Sequence, residues 1–245
     1  MTMKEKFARF ANWIENLFMT NHACLGCGRE IVDGTKFQLC ETCVKDIEKL
    51  SEPLCEKCGD KVLEGNKFCD HCKTTNYAFD CNKSICYYSD VSAKIVKGLK
   101  YGRRKYYAKH IADIMTSEKD VFDGVDVITY VPVTSKTRRE RGFNQAEEIA
   151  REISNIVEIE MICTLSKSDD TKHQAGLSQK ERLENLKDSF LLINDAKDKI
   201  KGKVVLIVDD VFTTGTTLSE CAKALKKAKP AKVKTITFAK TKFEH

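Results

Sequence analysis

Four Cys-x-x-Cys pairs follow one another early in the chain: Cys24/Cys27, Cys40/Cys43, Cys55/Cys58 and Cys69/Cys72. No other feature limits so tightly what this sequence can fold into. Two thiolates at that spacing reach one tetrahedral centre from a single tight turn, so each pair is half of a metal site. Gly26, Gly28 and Gly59 suit the close backbone turn of such a knuckle. Eight ligands imply two Zn²⁺ sites of four cysteines, with no position left open for a catalytic water. The zinc is therefore expected to be structural. The segment has few large apolar side chains, and zinc binding of about 10–16 kcal/mol per site would supply its folding free energy. Pairing in chain order gives two consecutive ribbons, Cys24–Cys43 and Cys55–Cys72, and is favoured because each closes a short loop. A cross-braced alternative, joining the first pair to the third and the second to the fourth, stays open. His71 is expected to be a bystander rather than a ligand.

Of the 12 cysteines, all but Cys163 and Cys221 precede residue 87. Met1 to Thr20 lacks the apolar core and cleavage site of a secretory leader. Metal chemistry in a reducing cytoplasm is the expected setting, not a disulfide framework. Cys81 and Cys86 form no such pair and read as buried thiols. No apolar run approaches the roughly 18 residues that cross a membrane. Lys and Arg total 42 against 36 acidic residues, a net charge of +6 that by itself signals no nucleic acid. Phe7, Phe10, Ile14, Leu17 and Phe18 recur at helical spacing, which predicts an amphipathic helix over 1–22. Docking on the protein's own body is the favoured role for that helix, with contact to a membrane or partner surface as the alternative.

The pattern changes after the cysteines. A double zinc ribbon over 23–80 gives way to an α/β region over 81–245. Short β-rich runs at Val125–Val131, Val204–Val208 and Val233–Ala239 alternate with helical periodicity at Ala146–Ile156 and Leu218–Ala228. That alternation predicts a parallel sheet with flanking helices. Within it, the run from Val204 ends in Asp209 and Asp210, followed by Val211, Phe212, Thr213, Thr214, Gly215, Thr216 and Thr217 before a helix opens. Helix-start N–H groups and threonine hydroxyls suit a phosphate. The carboxylates would repel that phosphate, so they are expected to meet hydroxyls elsewhere on the ligand. Phosphate at one end and a diol at the other describes a ribose 5-phosphate.

This run resembles the phosphoribosyl pyrophosphate (PRPP) signature of type I phosphoribosyltransferases. A second segment, Pro132 to Gln145, carries Arg138, Arg139 and Arg141-Gly-Phe-Asn-Gln145 in one expected loop and resembles the ComF family in particular. Together with the ribbons, Tyr87-Tyr88-Ser-Asp-Val and Lys97-Gly-Leu-Lys-Tyr-Gly-Arg103, the resemblance runs from about Cys24 to the C-terminus. It implies that Asp209 to Thr217 bind PRPP with Mg²⁺, the two aspartates meeting the ribose. Val133, Lys136, Arg138, Arg139 and Arg141 would face the pyrophosphate. A stretch with Gln174, Leu177, Arg182 and Asn185 would form a lid, from which Lys172 and His173 reach the pyrophosphate. Lys100 and Tyr101 would lie at the opening of the site. The family implies transfer of ribose 5-phosphate from PRPP and a role in natural transformation, alongside single-stranded DNA and a competence helicase. No residue set resembles the base-orienting groups of purine or orotate enzymes, so the acceptor stays open. A non-catalytic PRPP sensor and a DNA-binding ribbon adaptor are the alternatives.

Overall fold

The computed structural model describes residues 23–31, 37–101, 104–169 and 189–243. The helix expected over 1–22 and the lid residues Lys172, His173, Gln174, Leu177, Arg182 and Asn185 lie outside the described residues.

The ribbons are one device used twice. Cys24 N donates to Arg29 O (2.7 Å) and Gly28 N to Cys24 O (2.8 Å); in the second ribbon Cys55 N donates to Asp60 O (2.7 Å) and Gly59 N to Cys55 O (2.9 Å). Gly28 and Gly59 take φ of 75° and 68°, the left-handed turn that closes each knuckle. The second half of each ribbon is a short helix, Glu41–Asp46 and Asp70–Thr74, begun by Cys40 and Cys69.

The described strands are β1 (Cys81–Tyr87), β2 (Val127–Tyr130), β3 (Leu165–Lys167), β4 (Phe190–Leu192), β5 (Val204–Phe212) and β6 (Lys232–Lys240). Four of them form a parallel sheet in the order β1-β6-β5-β2, and β3 pairs antiparallel with β4. Every residue of β2 is buried, as are Val205 to Val208 of β5. A run buried at successive positions has both sheet faces covered, which is why these strands read as continuous apolar stretches. The helix Gln145–Val157 packs on β2 and β5. It starts at Asn144, whose side chain accepts from Ala146 N (3.1 Å), and it buries Ala146, Ile149, Ala150 and Ile153. Those positions form the i, i+3, i+4, i+7 stripe of a helix facing a core. The helix Thr216–Lys226 returns the chain from β5 to β6.

Two elements differ from the sequence reading. β5 does not end at the carboxylates: Asp209 pairs with Thr237, Val211 with Ala239 and Phe212 with Lys240, so the ladder continues to the turn. The basic segment expected as a loop is a helix, Ser135–Arg141. Thr134 begins it by accepting from Thr137 N (3.2 Å), and Gly142 at φ 83° ends it.

Ribbon and sheet are joined by polar contacts among buried side chains. Asn82 Nδ2 donates to Cys58 O (3.0 Å), and Lys240 Nζ, fully buried at the end of β6, lies 3.3 Å from Asp60 Oδ2 just past the third knuckle. The Lys240 side chain also sits over the rings of Phe243 (3.8 Å) and Phe212 (4.5 Å), a cation–π contact with each. No helix among the described residues is long and apolar enough to cross a membrane.

Candidate functional site

The eight cysteines gather as Cys24, Cys27, Cys40 and Cys43 in one group and Cys55, Cys58, Cys69 and Cys72 in the other, each set of sulfurs lying within 4.8 Å. The ribbons are therefore consecutive and not cross-braced. Tetrahedral zinc with Zn–S of about 2.3 Å spaces its sulfurs about 3.8 Å apart. Cys27 and Cys40 are separated by 3.8 Å and Cys58 and Cys69 by 3.6 Å, so the donor sets fit zinc. Arg29 Nε donates to Cys27 Sγ (3.4 Å) and draws that thiol down to about 6, towards the thiolate a metal needs. His71 is no ligand: its Nε2 lies 2.8 Å from the Tyr77 hydroxyl. Cys86 is fully buried, with its Sγ donating to Phe238 O (3.4 Å), while Cys81 is half-buried.

At the end of β5 the chain turns through Thr213 and Thr214, both exposed, to Gly215, which takes φ 75° and begins the helix. The hydroxyls of Thr214 and Thr216 lie 2.9 Å apart. Thr216 and Thr217, half-buried, form the first helical residues. Phe212 turns its ring into the core beneath Lys240, and its carbonyl accepts from Thr241 N (2.9 Å). Val211 is half-buried on the strand. This is a helix start at the carboxyl end of a central parallel strand, where open α/β sheets take their ligands.

Asp209 and Asp210 precede the turn. Asp209 Oδ1 accepts from Asp210 N (2.8 Å). Burial, with the Asp210 charge beside it, pushes the Asp209 carboxyl up to about 7, so its charge changes near neutral pH. Asp210 is engaged on both oxygens by Lys100 Nζ, at 3.0 and 2.8 Å. Burial pulls the Lys100 ammonium down, but the Asp210 carboxylate outweighs it, and the net direction is up. Lys167 at the end of β3 adds a second cation that interacts with Asp209, its own value lowered by burial. Each carboxylate thus has a lysine acting on it, Lys100 by direct contact with Asp210 and Lys167 through its charge on Asp209. Sequence reasoning placed Lys100 near the opening but had no signal for Lys167, which stands alone on a short strand.

Of the basic residues assigned to the pyrophosphate side, Arg138 pairs with Glu147 (2.9 Å) and Arg141 donates to Gln145 Oε1 (2.9 Å). Arg141 also lies over the exposed ring of Tyr101 (5.5 Å). Lys136 and Arg139 are exposed on the same helix, and Val133 is half-buried just before it. Lys172 is outside the described residues.

Residues 139–242 match the family model of the phosphoribosyl transferase domain, and residues 15–73 match that of the double zinc ribbon domain. Competence protein F of Haemophilus influenzae is 28% identical over 214 residues, which cover 84% of this chain and 92% of the relative. DNA utilization protein YhgH of Salmonella typhimurium is 27% identical over 194 residues, or 76% of this chain and 83% of the relative. Among solved structures, glutamine phosphoribosylpyrophosphate amidotransferase from B. subtilis aligns at 20% identity with a TM-score of 0.38, covering 53% of this chain and 25% of its own. With its two four-cysteine groups and its parallel sheet, the chain joins a double zinc ribbon domain to a phosphoribosyltransferase domain, and over most of its length it is similar to competence protein F.

Proposed function

We propose that this protein binds PRPP at the β5 turn and transfers its ribose 5-phosphate to an acceptor in the handling of incoming DNA. The observation that supports this reading most directly is the order of groups at that turn. Two carboxylates near the end of β5 are followed, after Val211 and Phe212, by a turn with a left-handed glycine, a helix start and flanking threonine hydroxyls. Backbone N–H groups of the turn and the hydroxyls of Thr213, Thr214, Thr216 and Thr217 donate to the 5′-phosphate, aided by the helix dipole. Charge-assisted bonds of this kind contribute about 1.5–3 kcal/mol each. Asp209 and Asp210 accept from the ribose hydroxyls. Lys100 holds the Asp210 carboxylate in one orientation by gripping both oxygens.

Asp209 supplies oxygen donors of the type Mg²⁺ prefers. When bound with PRPP, Mg²⁺ would neutralise charge on the departing pyrophosphate. Lys136 and Arg139, exposed on the Ser135–Arg141 helix, face solvent as candidate pyrophosphate contacts, with Val133 before them. Lys172, between β3 and β4, is the proposed further reach to the pyrophosphate.

The names of the relatives, competence protein F and DNA utilization protein, support a role in DNA uptake, with single-stranded DNA and a helicase as proposed partners. Eight metal-binding thiols support a reducing cytoplasmic location. The proposed division is a ribbon over 23–80 and a phosphoribosyltransferase domain over 81–245.

A second reading, PRPP bound but not consumed, draws support from Arg138 and Arg141, both committed to neighbours within the protein. Radiolabelled PRPP incubated with nucleobase, nucleoside and single-stranded DNA acceptors separates the two. Pyrophosphate release with one acceptor class, lost in Asp209→Asn/Asp210→Asn, is the expected result. Tight PRPP binding with no release from any acceptor would leave the sensor.

A further inference from the structure

We propose that Tyr77 is the positioning residue of the phosphate turn, and that through it zinc in the second ribbon is coupled to PRPP binding. The proposal rests on the PRPP reading above. Tyr77 stands five residues past Cys72, the last ligand of that ribbon. Its ring is buried, stacked on Phe79 at 4.8 Å and set edge-on to Phe212 at 6.0 Å. Its hydroxyl donates to Thr214 O at 2.6 Å, 137 residues away in the chain. The phenol has one proton, and that proton is committed to Thr214. His71 Nε2, 2.8 Å from the same oxygen, is therefore the donor to it. His71 sits between Cys69 and Cys72 and stacks on Phe243 at 4.1 Å. Hydrogen bonds thus lead from the zinc knuckle through two side chains to the turn.

What the contact fixes is a peptide plane. In a planar trans peptide the carbonyl and the following N–H point in opposite directions. Holding Thr214 C=O towards Tyr77 aims Gly215 N–H away from the ribbon, to the opposite side of the turn. The same segment grips the helix start a second time, where Ala78 N donates to Ser219 Oγ (3.0 Å). Burial pushes the Tyr77 phenol well up, so it stays protonated and remains the donor. A phosphate that uses Gly215 N–H favours the same peptide orientation that the intact ribbon holds. Coupling of this kind is reciprocal: bound ligand slows loss of the metal as the metal strengthens the ligand.

The test uses the full-length, zinc-loaded protein, PRPP with Mg²⁺, calorimetry for affinity, and a chromophoric chelator to time zinc release. In the wild type, saturating PRPP should slow release of one of the two zinc ions. Tyr77→Phe, with full zinc content and unchanged circular dichroism, should bind PRPP about five- to tenfold more weakly, the worth of one net hydrogen bond. Zinc release from that variant should no longer respond to PRPP. His71→Gln, which keeps a side-chain donor, should retain the coupling, and His71→Leu should lose it. If the wild type binds no PRPP, the PRPP reading falls and the coupling with it. If the wild type binds PRPP but Tyr77→Phe and His71→Leu match it in affinity and zinc release, the role of Tyr77 alone is overturned.

Discussion

Replacing Gly215 with alanine should damage the phosphate turn more than its single methyl suggests. A Cβ built there would stand 2.5 Å from Phe212 Cζ and 2.7 Å from Tyr77 Cε1, with the backbone at φ +75°. Neither ring can yield cheaply. Phe212 is pinned beneath Lys240 and Tyr77 is held by its bond to Thr214. The left-handed conformation costs a non-glycine residue about 1–2 kcal/mol, and overpacking adds about 1–3 kcal/mol. The expected destabilisation is therefore about 2–5 kcal/mol, a shift in urea midpoint of about 1–2.5 M at an m-value near 2 kcal/mol/M. Gly124→Ala is the matched control, since Gly124 also has positive φ (+65°) but its Cβ would meet nothing within 4 Å. It should lose only the backbone share, about 1–2 kcal/mol. Urea unfolding of the three proteins decides the matter. Equal midpoints for Gly215→Ala and Gly124→Ala would refute the steric reasoning.

Asp209 should make stability fall as pH rises. Its carboxyl is raised to about 7 in the folded protein, above the roughly 3.9 of an unfolded aspartate, so the native state holds the proton more tightly. The associated stability is complete below pH 4 and is lost progressively between about pH 4 and 7. Urea midpoints at pH 5 and pH 8 should drop more in the wild type than in Asp209→Asn, and identical drops would contradict this. At the ribbon–sheet junction, Asp60→Asn leaves the fully buried Lys240 without its counter-charge and should cost about 3–5 kcal/mol. Adding Lys240→Met should restore part of that loss. A urea double-mutant cycle with no coupling would show that the pair does not join the two parts.

Much of the architecture is legible in the sequence because it is local. The four knuckles announce themselves by spacing, and the β5 turn by a run of adjacent residues. The extension of β5 to Phe212 is not, because it depends on pairing with β6, which begins twenty residues later. Lys136 to Arg141 reads as a phosphate loop from charge alone, yet Thr134 and Gly142 cap the segment as a helix. That folding turns Arg138 and Arg141 towards Glu147 and Gln145. Tyr77 carries no signal at all: its partner lies 137 residues away, and only the docking of the second ribbon on the sheet brings them together. The grip of Lys100 on Asp210 spans 110 residues, and the sequence hints at it only through the family's Lys-Tyr-Gly motif.

Calorimetric titration of PRPP with Mg²⁺ into the zinc-loaded wild type and into Asp209→Asn/Asp210→Asn tests the central claim most directly. Saturable binding by the wild type, lost in the folded double variant, is the predicted result. A folded wild type that takes up no PRPP, or a double variant that binds it equally well, would contradict the assignment of this turn as the ribose 5-phosphate site.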